Sequence, residues 1–175
     1  YRSNQRSIHL TFDLQDHYPK WRDEQVEIWK HKILTALGSN AQVIIDFIPE
    51  IELIIGKQPS VSELPAVETQ NRFNMVFKNF VGVIAQQDHP LVLFLDDMQW
   101  ADFGSFNLIK LLMTDKGLQS LFIIGAFRNR EVSESHPLMV IIEQIKKAGS
   151  IVNDLFLNPL EYNHVNQLIA DTMYC

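Results

Sequence analysis

Leu91-Val92-Leu93-Phe94-Leu95-Asp96-Asp97 is an unbroken apolar run closed by two acids and preceded by Asp88-His89-Pro90. Five apolar residues without interruption are too few for a helix and too continuous for a strand with one wet face, so the run predicts a strand buried on both faces. Downstream, Leu121-Phe122-Ile123-Ile124 repeats the pattern and ends at Gly125. Between the two lie Phe106, Ile109, Leu112 and Met113 at helical spacing, behind Asp102, a residue type suited to a helix N-cap. Further on, Leu138, Ile141, Ile142 and Ile145 form a helical stripe ended by Gly149. Ile151 to Leu157 is a third, weaker strand candidate, and Val165, Leu168, Ile169 and Met173 mark a last helix. Strand, helix, strand, helix, strand predicts parallel strands joined by right-handed crossovers, hence a three-layer α/β sheet whose functional groups sit at the carboxyl ends of its strands.

Upstream of that core the pattern turns helical. Val26, Trp29, Ile33 and Leu37 recur at three-to-four spacing, with Gly38 in the usual terminating position and Ser39 or Asn40 placed to cap the next element. Val43 to Ile55 is Ile-rich and helical in character, but Pro49 removes a backbone donor and predicts a kink or two short helices. Lys57 to Ala66, with Pro59, Ser60, Ser62 and Pro65, reads as a loop. Phe73, Val76, Phe77, Phe80 and Ile84 then form the clearest apolar stripe in the chain. At the start, Ile8, Leu10 and Phe12 alternate with His9 and Thr11 as a strand candidate. The divisions that follow are residues 1–20, an N-terminal segment with that candidate strand; 21–86, a helical region; 87–160, an α/β core; and 161–175, the start of a C-terminal helical lid.

Composition narrows the function. The 175 residues are 46% hydrophobic and 21% charged, with a net charge of −6, a balance that excludes disorder and argues against a general nucleic-acid binder, which needs clustered cations. Lys146-Lys147 is too short a basic patch and suits the last turn of a helix. Cys175 is the single cysteine, so no intrachain disulfide and no multi-cysteine zinc site exists, and the six histidines show no ligand spacing. No apolar run approaches the roughly 20 residues of a membrane helix; with no signal-like segment at the start, a soluble cytoplasmic setting is expected. Tyr1 in place of an initiator methionine, and Cys175 directly after a helical pattern, lead to the expectation that the chain is a piece of a longer protein.

Asp96 and Asp97 carry the chemistry. Two adjacent carboxylates at the end of a buried strand are costly to desolvate and call for a metal ion, hydrogen-bond donors or a wet cleft. An apolar strand ending in Asp is the pattern in which the acid holds Mg²⁺ and a neighbouring acid orients an attacking water; a capping or loop-ordering acid is the alternative. The neighbouring strand leads through Gly125-Ala126-Phe127 to Arg128, which could reach the same cleft and neutralise a terminal phosphate, or else pair at the surface with Glu131 or Asp97.

On these residues the chain resembles a known family. Leu93-Phe94-Leu95-Asp96-Asp97-Met98-Gln99-Trp100-Ala101-Asp102 is similar to the Walker B region of AAA-type ATPase modules of the STAND group of signalling NTPases. Ile124-Gly125-Ala126-Phe127-Arg128, Glu131-Val132 and His136-Pro137-Leu138 resemble the sensor-1 strand and following turn. Val43 to Gln58, with Gln70-Asn71-Arg72-Phe73, is similar to the ATPase module of large bacterial signal-transduction proteins that also carry kinase and sensor domains. The resemblance covers roughly residues 22 to 173. It implies an incomplete three-layer parallel sheet of P-loop NTPase type with a helical insertion in the N-terminal half.

For the site, the resemblance implies Asp96 as the Mg²⁺-holding acid, Asp97 as the water-activating acid and Arg128 as the sensor arginine; Trp100 packs the strand–helix turn and Asp102 caps a helix. The family often has Glu at the position of Asp97, so the shorter side chain predicts slow turnover. ATP and Mg²⁺ are the implied ligands of the full-length protein, and flanking kinase and sensor domains its partners. The phosphate-cradling Gly-x-x-x-x-Gly-Lys-Ser/Thr is absent; Gly56-Lys57 is followed by Gln58 and is no substitute. The 175 residues are therefore expected to hold half a nucleotide site, to carry no bound ligand and not to hydrolyse ATP alone. The competing reading is a degenerate NTPase fold serving as a protein-interaction scaffold; a metal-dependent phosphatase using the two acids is weaker still.

Overall fold

The computed structural model describes residues 23–173. The strand expected around Ile8, Leu10 and Phe12, and Trp21, lie outside the described residues.

From Asp23 to Ile84 the described residues are mainly helical, as their periodicity requires. Helix α1 (Asp23–Leu37) buries Ile33 and Leu37 and stops where Gly38 takes φ 53°, a conformation that a Cβ disfavours. A short 3₁₀ turn, Gly38–Asn40, leads into α2 (Ala41–Phe47). Asn40 occupies the cap position without a side-chain capping bond, and the Ala41 N–H donates to the Gly38 carbonyl across that turn. Pro49 divides the Ile-rich segment as expected: it opens a second 3₁₀ turn, Pro49–Ile51, followed by α3 (Glu52–Ile55). Gly56 ends α3 with φ 72°, and Gln58 Nε2 donates to the Ile55 carbonyl at 3.0 Å. Gly56-Lys57 is thus a helix terminus. Helix α4 (Ala66–Ile84) inserts Val76, Phe77 and Phe80 into a core shared with α1, α2 and α3, where the Phe47 ring meets Phe73 and Phe77 edge-on at 5.1 and 5.7 Å.

The two apolar runs form β1 (Leu91–Leu95) and β2 (Leu121–Gly125), parallel neighbours in the register Leu91↔Leu121 to Leu95↔Gly125. Helix α5 (Phe103–Thr114) connects them, and α6 (Pro137–Lys147) follows β2. Leu95 and Ile123 pack on a second core of Met98, Phe106, Ile109, Leu138, Ile141 and Ile145. Both helix starts are capped by side chains: Asp102 accepts the Ser105 N–H at 2.7 Å, and His136 Nδ1 accepts the Leu138 N–H at 3.2 Å, with Pro137 in the first turn.

Two expectations are corrected. The strands are not buried on both faces: Val92 (56% exposed), Phe94 (63%), Phe122 and Ile124 alternate onto a face that no described helix covers, so the described residues make two layers of the three expected. Ile151 to Leu157 forms no strand. A strand exists only by pairing, and this segment is tied elsewhere: Ser150 Oγ donates to the Met113 carbonyl at 2.6 Å, Val152 packs on the second core, and Asp154 pairs with Lys146 at 3.2 Å. Those contacts hold its start beside the ends of α5 and α6, while Leu155, Phe156 and Leu157 stay exposed and unpaired with β1 or β2. The last apolar stripe does form a helix, α7 (Tyr162–Met173), with Leu168, Ile169 and Met173 exposed. Among the described residues no helix is long and apolar enough to cross a membrane.

Candidate functional site

Beyond Leu95 and Gly125 the two strands part, but their hydrogen-bond ladder continues. The Ala126 N–H donates to the Leu95 carbonyl at 2.8 Å, and the Met98 N–H donates to the Ala126 carbonyl at 3.0 Å. Asp96 and Asp97 therefore leave the end of β1 beside the segment that carries Arg128 out of β2. Asp97 turns the chain: its φ is 51°, the left-handed region, which Asp tolerates better than most residues because its short side chain can bond locally. The turn is closed by the Asp97 N–H donating to Asp96 Oδ1 at 2.8 Å and by the 3₁₀ turn Met98–Trp100 that follows.

Arg128 Nε approaches Asp97 Oδ1 at 3.6 Å, and Arg128 Nη1 reaches Glu131 Oε1 at 3.3 Å. The guanidinium lies 5.3 Å from the centroid of the Trp100 ring, a cation–π position. Arg128 and Asp97 are thus brought together, and Arg128 pairs at the surface with both Asp97 and Glu131, the alternative that the sequence left open beside a phosphate-facing role. Asp96 is exposed and its carboxylate bonds back to the turn rather than to the arginine. Asp102 caps α5 in the structural role assigned to it. Trp100 lies in the turn between β1 and α5, half-exposed, with the Arg128 guanidinium over its ring.

The sequence did not single out Gln99. It is 6% exposed, and its amide spans the site: Nε2 donates to Asp97 Oδ1 at 2.9 Å, and Oε1 accepts the Arg128 N–H at 3.2 Å. The available signal was a polar residue set between Met98 and Trp100 in an otherwise apolar turn. Close packing also fixes the ladder's end, for a Cβ at Gly125 would overlap Met98 Sδ.

No cluster of three or more histidine, cysteine or acidic side chains suited to a metal occurs among the described residues. A single exposed carboxylate at a strand end is nonetheless a chemically apt Mg²⁺ ligand, since that ion is commonly bound by one or two carboxylates, with waters and substrate phosphates completing its shell.

Comparison with known proteins bears on the chain as a sequence. The family model described as AAA ATPase domain matches residues 8–124, two thirds of the chain. The chain belongs to this AAA ATPase domain family. The match takes in β1 and both acids and stops just short of Gly125 and Arg128. Among curated proteins, the chain is similar to "Hybrid signal transduction histidine kinase G" of Dictyostelium discoideum, 51% identical over 89 residues, which are 51% of this chain and 3% of that protein. The likeness to signalling proteins is therefore not confined to bacteria. No solved structure matches the chain significantly.

Proposed function

We propose that these residues belong to an ATP-binding regulatory module of the STAND type in a multidomain signal-transduction protein, with a three-layer P-loop NTPase sheet in the whole module. The reading rests above all on the placement of Asp96, Asp97 and Arg128 just beyond the carboxyl ends of two register-matched parallel strands. In this reading Asp96 is the Mg²⁺ ligand, Asp97 orients the attacking water, and Arg128 neutralises the terminal phosphate. When bound, Mg²⁺ supplies charge neutralisation at the phosphates. Arg128 is suited to its part: a guanidinium presents a planar fork of donors that fits a phosphate. Its present partners are exposed ion pairs, each worth roughly 0–1 kcal/mol, so exchanging them for a phosphate costs little. Asp97 has less reach than a Glu, so hydrolysis is slow and serves timing.

The phosphate cradle lies outside these 175 residues, so the chain alone binds ATP weakly and does not turn it over. In the whole protein the nucleotide state alters how flanking kinase and sensor domains pack against the module. The test is Mg²⁺-dependent ATP binding and hydrolysis by the full natural polypeptide, wild type against Asp96→Ala. The substitution is expected to weaken Mg²⁺-dependent binding about tenfold or more, in line with loss of a metal ligand. Equal binding and hydrolysis in both proteins refute the assignment. The uncovered apolar face of Val92, Phe94, Phe122 and Ile124 favours a second reading, an interaction scaffold without nucleotide chemistry. A wild-type polypeptide that binds no MgATP selects that reading.

A further inference from the structure

We propose that Gln99 is a positioning residue that locks Asp97 and Arg128 into a fixed mutual geometry; the proposal deepens the nucleotide-site reading and rests on it. A carboxamide offers donors on one arm and an acceptor on the other. Gln99 spends its donor on Asp97 Oδ1 and its acceptor on the Arg128 backbone N–H. The reverse orientation would set oxygen against carboxylate and NH₂ against N–H, so the partners dictate which arm faces which. Burial sharpens the constraint. Among the described residues Gln99 is the buried polar side chain of the core, and both bonds it makes are part-buried.

The consequence for the site is specific. The backbone ladder between the two strand ends finishes with the Met98 N–H on the Ala126 carbonyl. Arg128 is two residues further on, and the Gln99 side chain supplies the next rung. At the other end of the same amide, Asp97 sits in the left-handed region and is held there by bonds from its own N–H and from Gln99. One side chain thus sets both the carboxylate and the stem of the arginine that faces it. Misplacing a reacting group by about 1 Å costs up to about a hundredfold in rate while leaving binding contacts intact. Gln99 therefore governs kcat, and the affinity for nucleotide depends on other groups.

The experiment uses the full natural polypeptide and two substitutions. Gln99→Glu keeps the acceptor for Arg128 but replaces the donor to Asp97 with a negative charge. Gln99→Leu removes both arms. Hydrogen exchange of the peptide covering residues 126–131 reads the Arg128 arm, and steady-state MgATP hydrolysis reads the Asp97 arm. In Gln99→Glu, exchange stays within about twofold, kcat falls about tenfold or more and KM stays within about twofold. In Gln99→Leu, exchange of that peptide rises about tenfold as well, because a protected amide is opened locally. Unchanged exchange and unchanged kcat in Gln99→Leu overturn the proposal. So does faster exchange throughout the module with kcat and KM failing together, which marks a merely structural side chain. A wild-type polypeptide without MgATP turnover defeats the nucleotide-site reading instead, and local exchange at 126–131 then decides alone whether Gln99 holds the strand ends.

Discussion

Gly125→Ala asks how tightly the end of β2 is packed against the turn that bears the acids. A Cβ on Gly125 would overlap Met98 Sδ and lie 3.5 Å from Met98 Cε. The backbone has little room to yield, since Ala126 is tied to Met98 by the 3.0 Å bond and to Leu95 by the 2.8 Å bond of the extended ladder. The thioether must therefore swing toward Phe106, Leu138 and Ile141, which already fill that core. Overpacking of this kind costs about 1–3 kcal/mol, and methionine's flexibility puts the cost toward the lower end. Against it stands a gain of about 0.4–1 kcal/mol, because alanine restricts the unfolded chain more than glycine does. Overlap outweighs the gain, leaving a net loss of up to about 1.6 kcal/mol. For a chain of this size that lowers Tm by up to about 6 °C. Thermal and urea unfolding followed by circular dichroism measure it, with the urea m-value unchanged. The decisive control is the same substitution in a Met98→Ala background. Without the thioether the overlap is gone, so Gly125→Ala becomes stabilising by about 0.4–1 kcal/mol. If it raises Tm in the wild-type background, or has the same effect in both, close packing at Met98 does not hold the strand end.

Other outcomes follow from the same contacts. Asp102→Ala leaves the Ser105 N–H without its 2.7 Å partner and lowers stability by about 1 kcal/mol in a thermal melt, whereas Asp102→Asn retains most of it. Phe106→Ala, in the second core, costs about 3–5 kcal/mol, while Phe94→Ala, on the uncovered face, stays within about 1 kcal/mol; equal losses contradict the one-sided burial. The Lys78 ammonium at 2.9 Å, followed by the Gly117 N–H, holds the Asp115 carboxyl below its ordinary value of 3.8 despite partial burial. That stabilisation is present above the ordinary value and is lost as pH falls through the lower folded value. Asp115→Asn accordingly flattens the acid limb of a stability–pH curve and matters least below that range; an unchanged acid limb refutes the pairing.

Most of the helical half was legible because its signals are local. Gly38 and Gly56 end helices at positive φ, Pro49 splits one, and the Phe73-to-Phe80 stripe faces inward. The same holds at the site, where a strand end places Asp97 and Arg128 by topology alone. What escaped the sequence depends on distance. Gln99 matters through a partner 29 positions away, which its place between Met98 and Trp100 does not reveal. The course of Ile151 to Leu157 escaped for a related reason: apolar, β-branched composition promises a strand, but a partner edge makes one, and Ser150, Val152 and Asp154 commit the segment to α5 and α6 instead.

The uncovered sheet face gives the unbroken run at 91–95 a physical meaning. A strand with one wet face alternates polar with apolar; Leu91 to Leu95 and Leu121 to Ile124 do not. Fully burying a Val, Ile or Phe side chain is worth about 1.5–3 kcal/mol. Val92, Phe94, Phe122 and Ile124 are each roughly half-exposed, so covering the remainder of all four is worth about 3–6 kcal/mol. That is comparable with the whole stability of a small domain, about 5–15 kcal/mol. An apolar face of that value is a sequence written for a covered sheet, and the described residues cover one side of it.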